Sequence, residues 1–218
     1  KLQIGFNRRF DANHIRLKQA IDNGEIGDPH MLTIISRDPA PPPIEYIKVS
    51  GGLMMDMMIH DFDMCRFLLG EVEEIFAMAD VKVDPAIGEA GDIDTAKVML
   101  KFENGVIGTI DNSRQAVYGY DQRVEVFGSG GAAQTGNWHS NQVIISDANS
   151  IRSDLPMNFF MDRYTDSFAN EMIAFIDAIV NDKPTAVTGN DGRMPVVMAM
   201  AGMLSIKENR PVKLSEIG

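Results

Sequence analysis

Between Val72 and Asp147 the chain runs through five β-rich segments, VEEIFAMADVKV, TAKVMLKF, VIGTIDNS, QRVEVFG and QVIISD, with turn chemistry between them. The run Glu103-Asn104-Gly105 is a hairpin signal, because Asn-Gly supplies the positive φ angles that a tight turn needs. This pattern predicts a mostly antiparallel meander. Helical patterns flank it. From Leu53 to Leu69 the apolar positions are too dense for strand alternation, and Gly70 offers a stop. After the meander, Phe168, Met172, Phe175, Ile176 and Ile179 form an i, i+4, i+7, i+8, i+11 stripe. A last helix is expected from an N-cap at Asp191, through Val196, Val197, Met200 and Leu204, to a stop before Pro211. The fold class that follows is α+β, a large and mostly antiparallel sheet with helices gathered on one face.

The chain opens on Lys1 and enters Leu2 to Phe6, which reads as a buried strand with nothing before it, so this is expected to be the C-terminal part of a longer polypeptide. Ile15, Leu17, Ala20 and Ile21 have helical spacing up to Gly24, and MLTIISRD reads as the next strand. The prolines of PAPPPIEYIKVSGG predict an extended loop. A net charge of −11 leaves little for a nucleic acid backbone to bind and favours a neutral or cationic small ligand or another protein. A single cysteine, Cys65, excludes an internal disulfide framework and makes the cytoplasm the default compartment. No apolar run reaches membrane-spanning length.

Residues 51–64, GGLMMDMMIHDFDM, set three acids and one histidine into an apolar, methionine-heavy run. On a helix, residues four apart share a face, so Asp56, His60 and Asp63 or Met64 point the same way. An aspartate one turn from a histidine can accept its ring N–H and favour the imidazolium, which makes a natural general base. A solvated helix face with one core histidine has the same spacing. The glycines at 51 and 52 point to a close backbone approach before the helix.

FGSGGAA at 127–133 contains G-x-G-x-x-A, but a dinucleotide fingerprint must open a helix, and loop then strand follow here. Those glycines read as a hairpin turn. Arg8 and Arg9 follow the first strand, where open α/β sheets place ligands, although solvated surface arginines fit the position too. In YGYD at 118–121, Tyr118 and Tyr120 lie on one side of a strand, to line a polar pocket or to cap a sheet edge. His14, His30 and His139 lack ligand spacing, which argues against a metal centre.

In this order the pieces resemble the superfamily of glucose-fructose oxidoreductase, inositol dehydrogenase and rhizopine catabolism proteins, nearest its inositol 2-dehydrogenase branch. The match is carried by IGFNRRFD (4–11), GEIGDP (24–29), SRDPAPP (36–42), SGGLMMDMMIHDFDMCRFLLG (50–70), YGYD, and RYTDSFANEMIAFIDAI (163–179). The resemblance implies that residues 1–28 are the remnant of a Rossmann domain with a connecting helix, and that residues 29–218 form a substrate-binding and oligomerisation domain. It implies oxidation of a polyol, foremost myo-inositol to 2-keto-myo-inositol, with NAD or NADP bound mainly by an N-terminal domain not in this sequence. That domain would also carry a catalytic lysine, so the chain by itself is expected to be inactive. His60 matches the proton acceptor and Asp56 its partner. Asn7, Arg8, Asp38, Met57, Tyr118 and Tyr120 match positions around the polyol, and Asp63 an acid behind them. Asp38 and Met57 stand where relatives carry asparagine and threonine, which bears on the isomer. The resemblance further implies a homotetramer packed through the sheets. A related sugar oxidoreductase, or a binding and assembly module without redox chemistry, are the alternatives.

Overall fold

The computed structural model describes residues 1–217. Strands β1 (Pro29–Arg37), β2 (Val72–Asp80), β3 (Thr95–Phe102), β4 (Ile107–Ser113), β5 (Asp121–Gly128) and β6 (Gly131–Thr135) build one sheet. Strands β7 (Ile144–Ser146) and β8 (Ile151–Ser153) pair separately, and β9 (Val212–Lys213) joins the edge of the main sheet. The order is β6-β5-β1-β4-β3-β2-β9, antiparallel throughout except for β1 and β4, which run parallel in register from Met31 with Ile107 to Arg37 with Ser113.

Strict alternation explains why one sheet face is core. In β3, Ala96, Val98, Leu100 and Phe102 are buried while Lys97, Met99 and Lys101 are exposed. Helices α1 (Ala12–Asp22), α4 (Ile59–Leu69) and α7 (Gly189–Glu208) cover the buried face, α7 along β2 and against α4. Each fully buried Ile, Leu or Phe here, such as Ile75, Ile110 and Phe62, contributes about 1.5–3 kcal/mol by leaving water. The opposite face keeps Met31, Met78, Met99, Ile107 and Phe127 exposed. Helix α6 (Phe160–Val180) packs instead on a 3-10 turn at Asn7–Phe10, and its stripe residues Met172, Ile176 and Ile179 face solvent. No helix of the structure is long and apolar enough to cross a membrane.

The α+β class, the Asn-Gly hairpin between β3 and β4, and the hairpin at FGSGGAA, where Gly128 pairs with Gly131, agree with the sequence reading. Four elements differ. Leu2 to Phe6 is not a strand: it has no strand beside it and makes one long-range backbone bond, Ile4 N–H to Val187 O at 3.1 Å. The proline loop ends early, since helix α2 (Ile44–Ser50) starts directly after Pro43, whose fixed φ of −56° suits a helix entry. The N-cap of α7 is Thr188, with Asp191 completing a capping box three residues in.

The fourth difference bears on the site. The helix expected over Leu53 to Leu69 is two, α3 (Gly52–Asp56) and α4, broken at Met57 and Met58. Met58 N–H reaches back five residues to Leu53 O at 2.9 Å, a single wide turn that lets both methionines point into the core at 5% and 0% exposure. Gly51 and Gly52 hold φ of 90° and 79° before it, and the Asp92 carboxylate accepts from Leu53 N–H at 3.1 Å. A Cβ on Gly52 would stand 2.5 Å from Asp92 Oδ1, the close approach that the two glycines foreshadowed.

Candidate active site

At one end of the sheet the core face turns from apolar to polar in three neighbouring strands. Along β1, Leu32 and Ile34 give way two residues at a time to Ser36 and then Asp38; along β4, Ile110 gives way to Asn112 and Arg114; along the antiparallel β5, Val126 and Val124 give way to Gln122 and Tyr120. The side-chain period of two carries each polar residue onto the face of the core residue before it. Because β1 and β4 are parallel, their carboxyl ends open at the same place. Asn7 and Arg8 from the 3-10 turn, Asp56 from α3, and His60 and Asp61 from the start of α4 close over this patch.

The centre is a buried ion pair. Arg8 Nη1 donates to Asp61 Oδ1 at 2.6 Å, and Asn112 Nδ2 donates to Asp61 Oδ2 at 2.9 Å. Arg8 Nη2 donates to the Tyr120 hydroxyl at 3.4 Å, and the guanidinium lies 5.7 Å from the Tyr164 ring centroid. Burial works against the charge on Arg8, but Tyr164, Tyr120 and Asp61 outweigh it and hold the cation more firmly than in water. Beside this pair, Arg114 Nη1 forms an ion pair with Asp56 Oδ2 at 2.9 Å and lies 3.6 Å from Asp38 Oδ2, while Tyr46 donates its hydroxyl to Asp56 Oδ1 at 2.7 Å. Burial, with Asp56 and Asp61 nearby, pushes the Asp38 carboxyl up to about 6 against the pull of Arg114 and Arg8.

His60 stands edge-on to Phe6 with ring centroids 5.8 Å apart, and its Nδ1 is buried without a hydrogen-bond partner. Burial first, and then the charge of Arg8, push the imidazole down to about 3, with Asp56 pulling the other way. The ring is therefore neutral at any physiological pH rather than biased toward imidazolium. The shared helix face expected for Asp56 and His60 is absent, since the helix breaks between them. Asp56 acts on the ring through its charge, and its oxygens are taken by Arg114 and Tyr46.

Of the remaining candidates, Asn7 is buried and donates to Ser167 Oγ at 3.1 Å, at the cluster's edge. Asp38, Arg8 and Tyr120 join the cluster. Met57 does not: it belongs to the apolar core. Tyr118 does not either, because Gly119, at φ 124°, reverses the chain between the two tyrosines. Tyr118 donates to Asp121 at 2.6 Å and accepts from Arg37 at 3.1 Å, away from Arg8. Asp63 is held by Arg9 through Nε at 2.9 Å and Nη2 at 2.7 Å and faces away from the cluster, so Arg9 is an ion-pair residue. Four site residues escaped the sequence reading: Asp61, Asn112, Arg114 and Tyr46. The first three carried a signal, as buried polar positions continuing an apolar alternation or standing next to His60. Two crevices of about 450 and 470 Å³ lie elsewhere, one between α1 and β6 and one beside Glu71 and Arg193. Neither touches the cluster.

At the open end of its core face this sheet-and-helix domain thus gathers an arginine–carboxylate cluster and a neutral histidine, groups that can hydrogen-bond to oxygen atoms and, in the case of the imidazole, accept a proton. Residues 14–134, more than half of the chain, match the family described as GFO/IDH/MocA C-terminal domain, and the chain belongs to that family. It is 52% identical over 99% of its length to a myo-inositol 2-dehydrogenase of Thermotoga maritima, of which it covers 65%. It is 46% identical over 99% of its length to an inositol 2-dehydrogenase of Rhizobium meliloti, of which it covers 66%. Among solved structures, scyllo-inositol dehydrogenase of Lactobacillus casei with bound NAD(H) and scyllo-inositol matches with a TM-score of 0.90 at 28% identity, over 99% of this chain and 65% of that one. The chain thus spans about two thirds of the length of the relatives it matches.

Proposed function

We propose that residues 29–218 are the substrate domain of an NAD- or NADP-dependent inositol dehydrogenase, that residues 1–28 are the end of its dinucleotide domain, and that His60 accepts the substrate's hydroxyl proton. The observation that carries this reading is the buried, partnerless Nδ1 of a neutral imidazole beside the hydrogen-bonded Arg8–Asp61–Asn112 network. Only a neutral ring can take a proton, and burial with Arg8 keeps it so. As the carbinol carbon is oxidised, the hydroxyl proton passes to His60, and the Asp56 carboxylate stabilises the imidazolium that forms. Arg8, Asp38 and Tyr120 orient the other hydroxyls, with Asn7 at the margin. A bound nicotinamide would supply the hydride acceptor. In this reading its reacting end lies at His60 and the rest of the cofactor is held mainly by an N-terminal domain, so that the chain alone is inactive; the hairpin that Gly128 and Gly131 close supports this, since it opens no helix onto a phosphate. The exposed sheet face, with Met31, Met99, Ile107 and Phe127, is the surface through which copies would assemble into a tetramer.

The test is oxidation of a panel of inositols and hexoses by the full-length protein with NAD and with NADP. Reduction of the cofactor with an inositol as the preferred substrate supports the reading. A hexose preferred over every inositol moves the protein to a related sugar oxidoreductase, and no turnover with any polyol refutes it.

A further inference from the structure

Arg114 is among the largest fully buried side chains of the protein, and the reaction just proposed gives it no part. Its backbone is fixed at the carboxyl end of β4 by a bond from its own N–H to Asp94 O at 2.8 Å. Its Nη1 lies 2.9 Å from Asp56 and 3.6 Å from Asp38, so one guanidinium nitrogen serves two carboxylates on different elements. Its Nε and Nη2 are buried and have no partner. An arginine buried only to knit a core has its planar fork satisfied by acceptors, because a guanidinium cannot shed its proton and unmet buried donors are costly. Here the Nε and Nη2 donors are left unmet, and Nη1 makes ion pairs with the two acids at the mouth of the site. Of the charges that act on Asp38, Arg114 and Arg8 are the cations that offset Asp56 and Asp61.

We infer that Arg114 is a positioning residue of the active site, which clamps Asp56 and Asp38 so that Asp56 stays beside His60 and Asp38 is held for a substrate hydroxyl. The inference rests on the reading of His60 as proton acceptor. The groups that bear on the clamp are Arg8, Tyr46, Asp56, Asp61, Arg114 and Tyr120 around Asp38, and Asp38, Tyr46, His60 and Arg114 around Asp56.

The test compares the full-length wild type with Arg114→Gln and Arg114→Lys in two ways: carboxyl-carbon NMR titration of Asp38 without substrate, and oxidation of myo-inositol with NAD across pH. Removing the cation is expected to raise the Asp38 midpoint by about one pH unit or more, since an opposite charge at this distance favours the ionised form. The acid limb of kcat/KM moves up with it, and kcat falls by about 10- to 100-fold with KM changing less. Lysine, which keeps the charge, restores the midpoint and part of kcat. An unshifted Asp38 midpoint, or a lysine variant no better than glutamine, overturns the inference. If Arg114→Gln does not fold, Arg114→Gln with Asp38→Asn removes one cation and one anion together. It is expected to fold with kcat still low, and a wild-type kcat there refutes the clamp. Should the wild type oxidise no polyol, the functional reading fails, and the carboxyl titration alone decides for or against the clamp.

Discussion

Replacing Asp61 by asparagine keeps the shape of the side chain and removes its charge, which leaves Arg8 as a buried cation without a counter-ion. The wild-type contact is short, 2.6 Å, and both side chains are out of water, at 9% and 0% exposure. Breaking such a pair costs about 3–5 kcal/mol, most of it the penalty of the stranded charge. For a chain of 218 residues each kcal/mol moves the thermal midpoint by about 2–4 °C, so the variant should melt about 6–20 °C lower. Thermal unfolding followed by circular dichroism measures this directly. The control is Glu25→Gln at the exposed Arg16–Glu25 pair, where both partners are solvated at 60% and 43% exposure and the midpoint is expected to stay where it was. A loss below about 1 kcal/mol for Asp61→Asn would refute the claim that the Arg8–Asp61 pair anchors the site.

Three further outcomes follow from the geometry. Asp38 has a folded-state pKa of about 6 against an ordinary 3.8, so the folded protein holds its proton more tightly and stability falls as pH rises through that window. Asp38→Asn should flatten this fall and leave the protein about 1–3 kcal/mol more stable at about pH 8, read by urea unfolding. Gly52→Ala, at φ 79° with Asp92 Oδ1 2.5 Å from the new Cβ, should cost about 1–3 kcal/mol in the same assay. Tyr120→Phe removes a hydroxyl bound to Arg8 and should raise KM for the polyol, whereas Tyr118→Phe, on the network of Arg37 and Asp121, should leave KM unchanged; steady-state kinetics on the full-length protein separate the two.

The sheet was legible because its signal is local: an alternation such as that of Ala96, Val98, Leu100 and Phe102 declares its own face. The same rule, carried past the apolar run, would have found Asn112 and Arg114 beyond Ile110. Hydrophobicity alone does not mark them, because the apolar run ends at Ile110. Asp61 was missed for a different reason, since a continuous helix would have turned it away from Asp56 and His60. The break at Met57 and Met58 that admits it is set by where those side chains find room in the core, a tertiary fact with no mark in the sequence. The parting of Tyr118 from Tyr120 hangs on the left-handed Gly119, and two residues of one polarity gave no sign of it. Leu2 to Phe6 has the composition of a strand, and composition cannot supply a neighbouring strand to pair with.

The central claim is that His60 takes the proton as the polyol is oxidised. A single-turnover measurement of NADH formation from myo-inositol by the full-length protein, wild type against His60→Gln, tests it most directly. The account predicts that the variant still binds the polyol but forms NADH about 100- to 10,000-fold more slowly. Formation within about threefold of the wild-type rate would contradict it, because a proton acceptor of the reacting hydroxyl cannot be lost so cheaply.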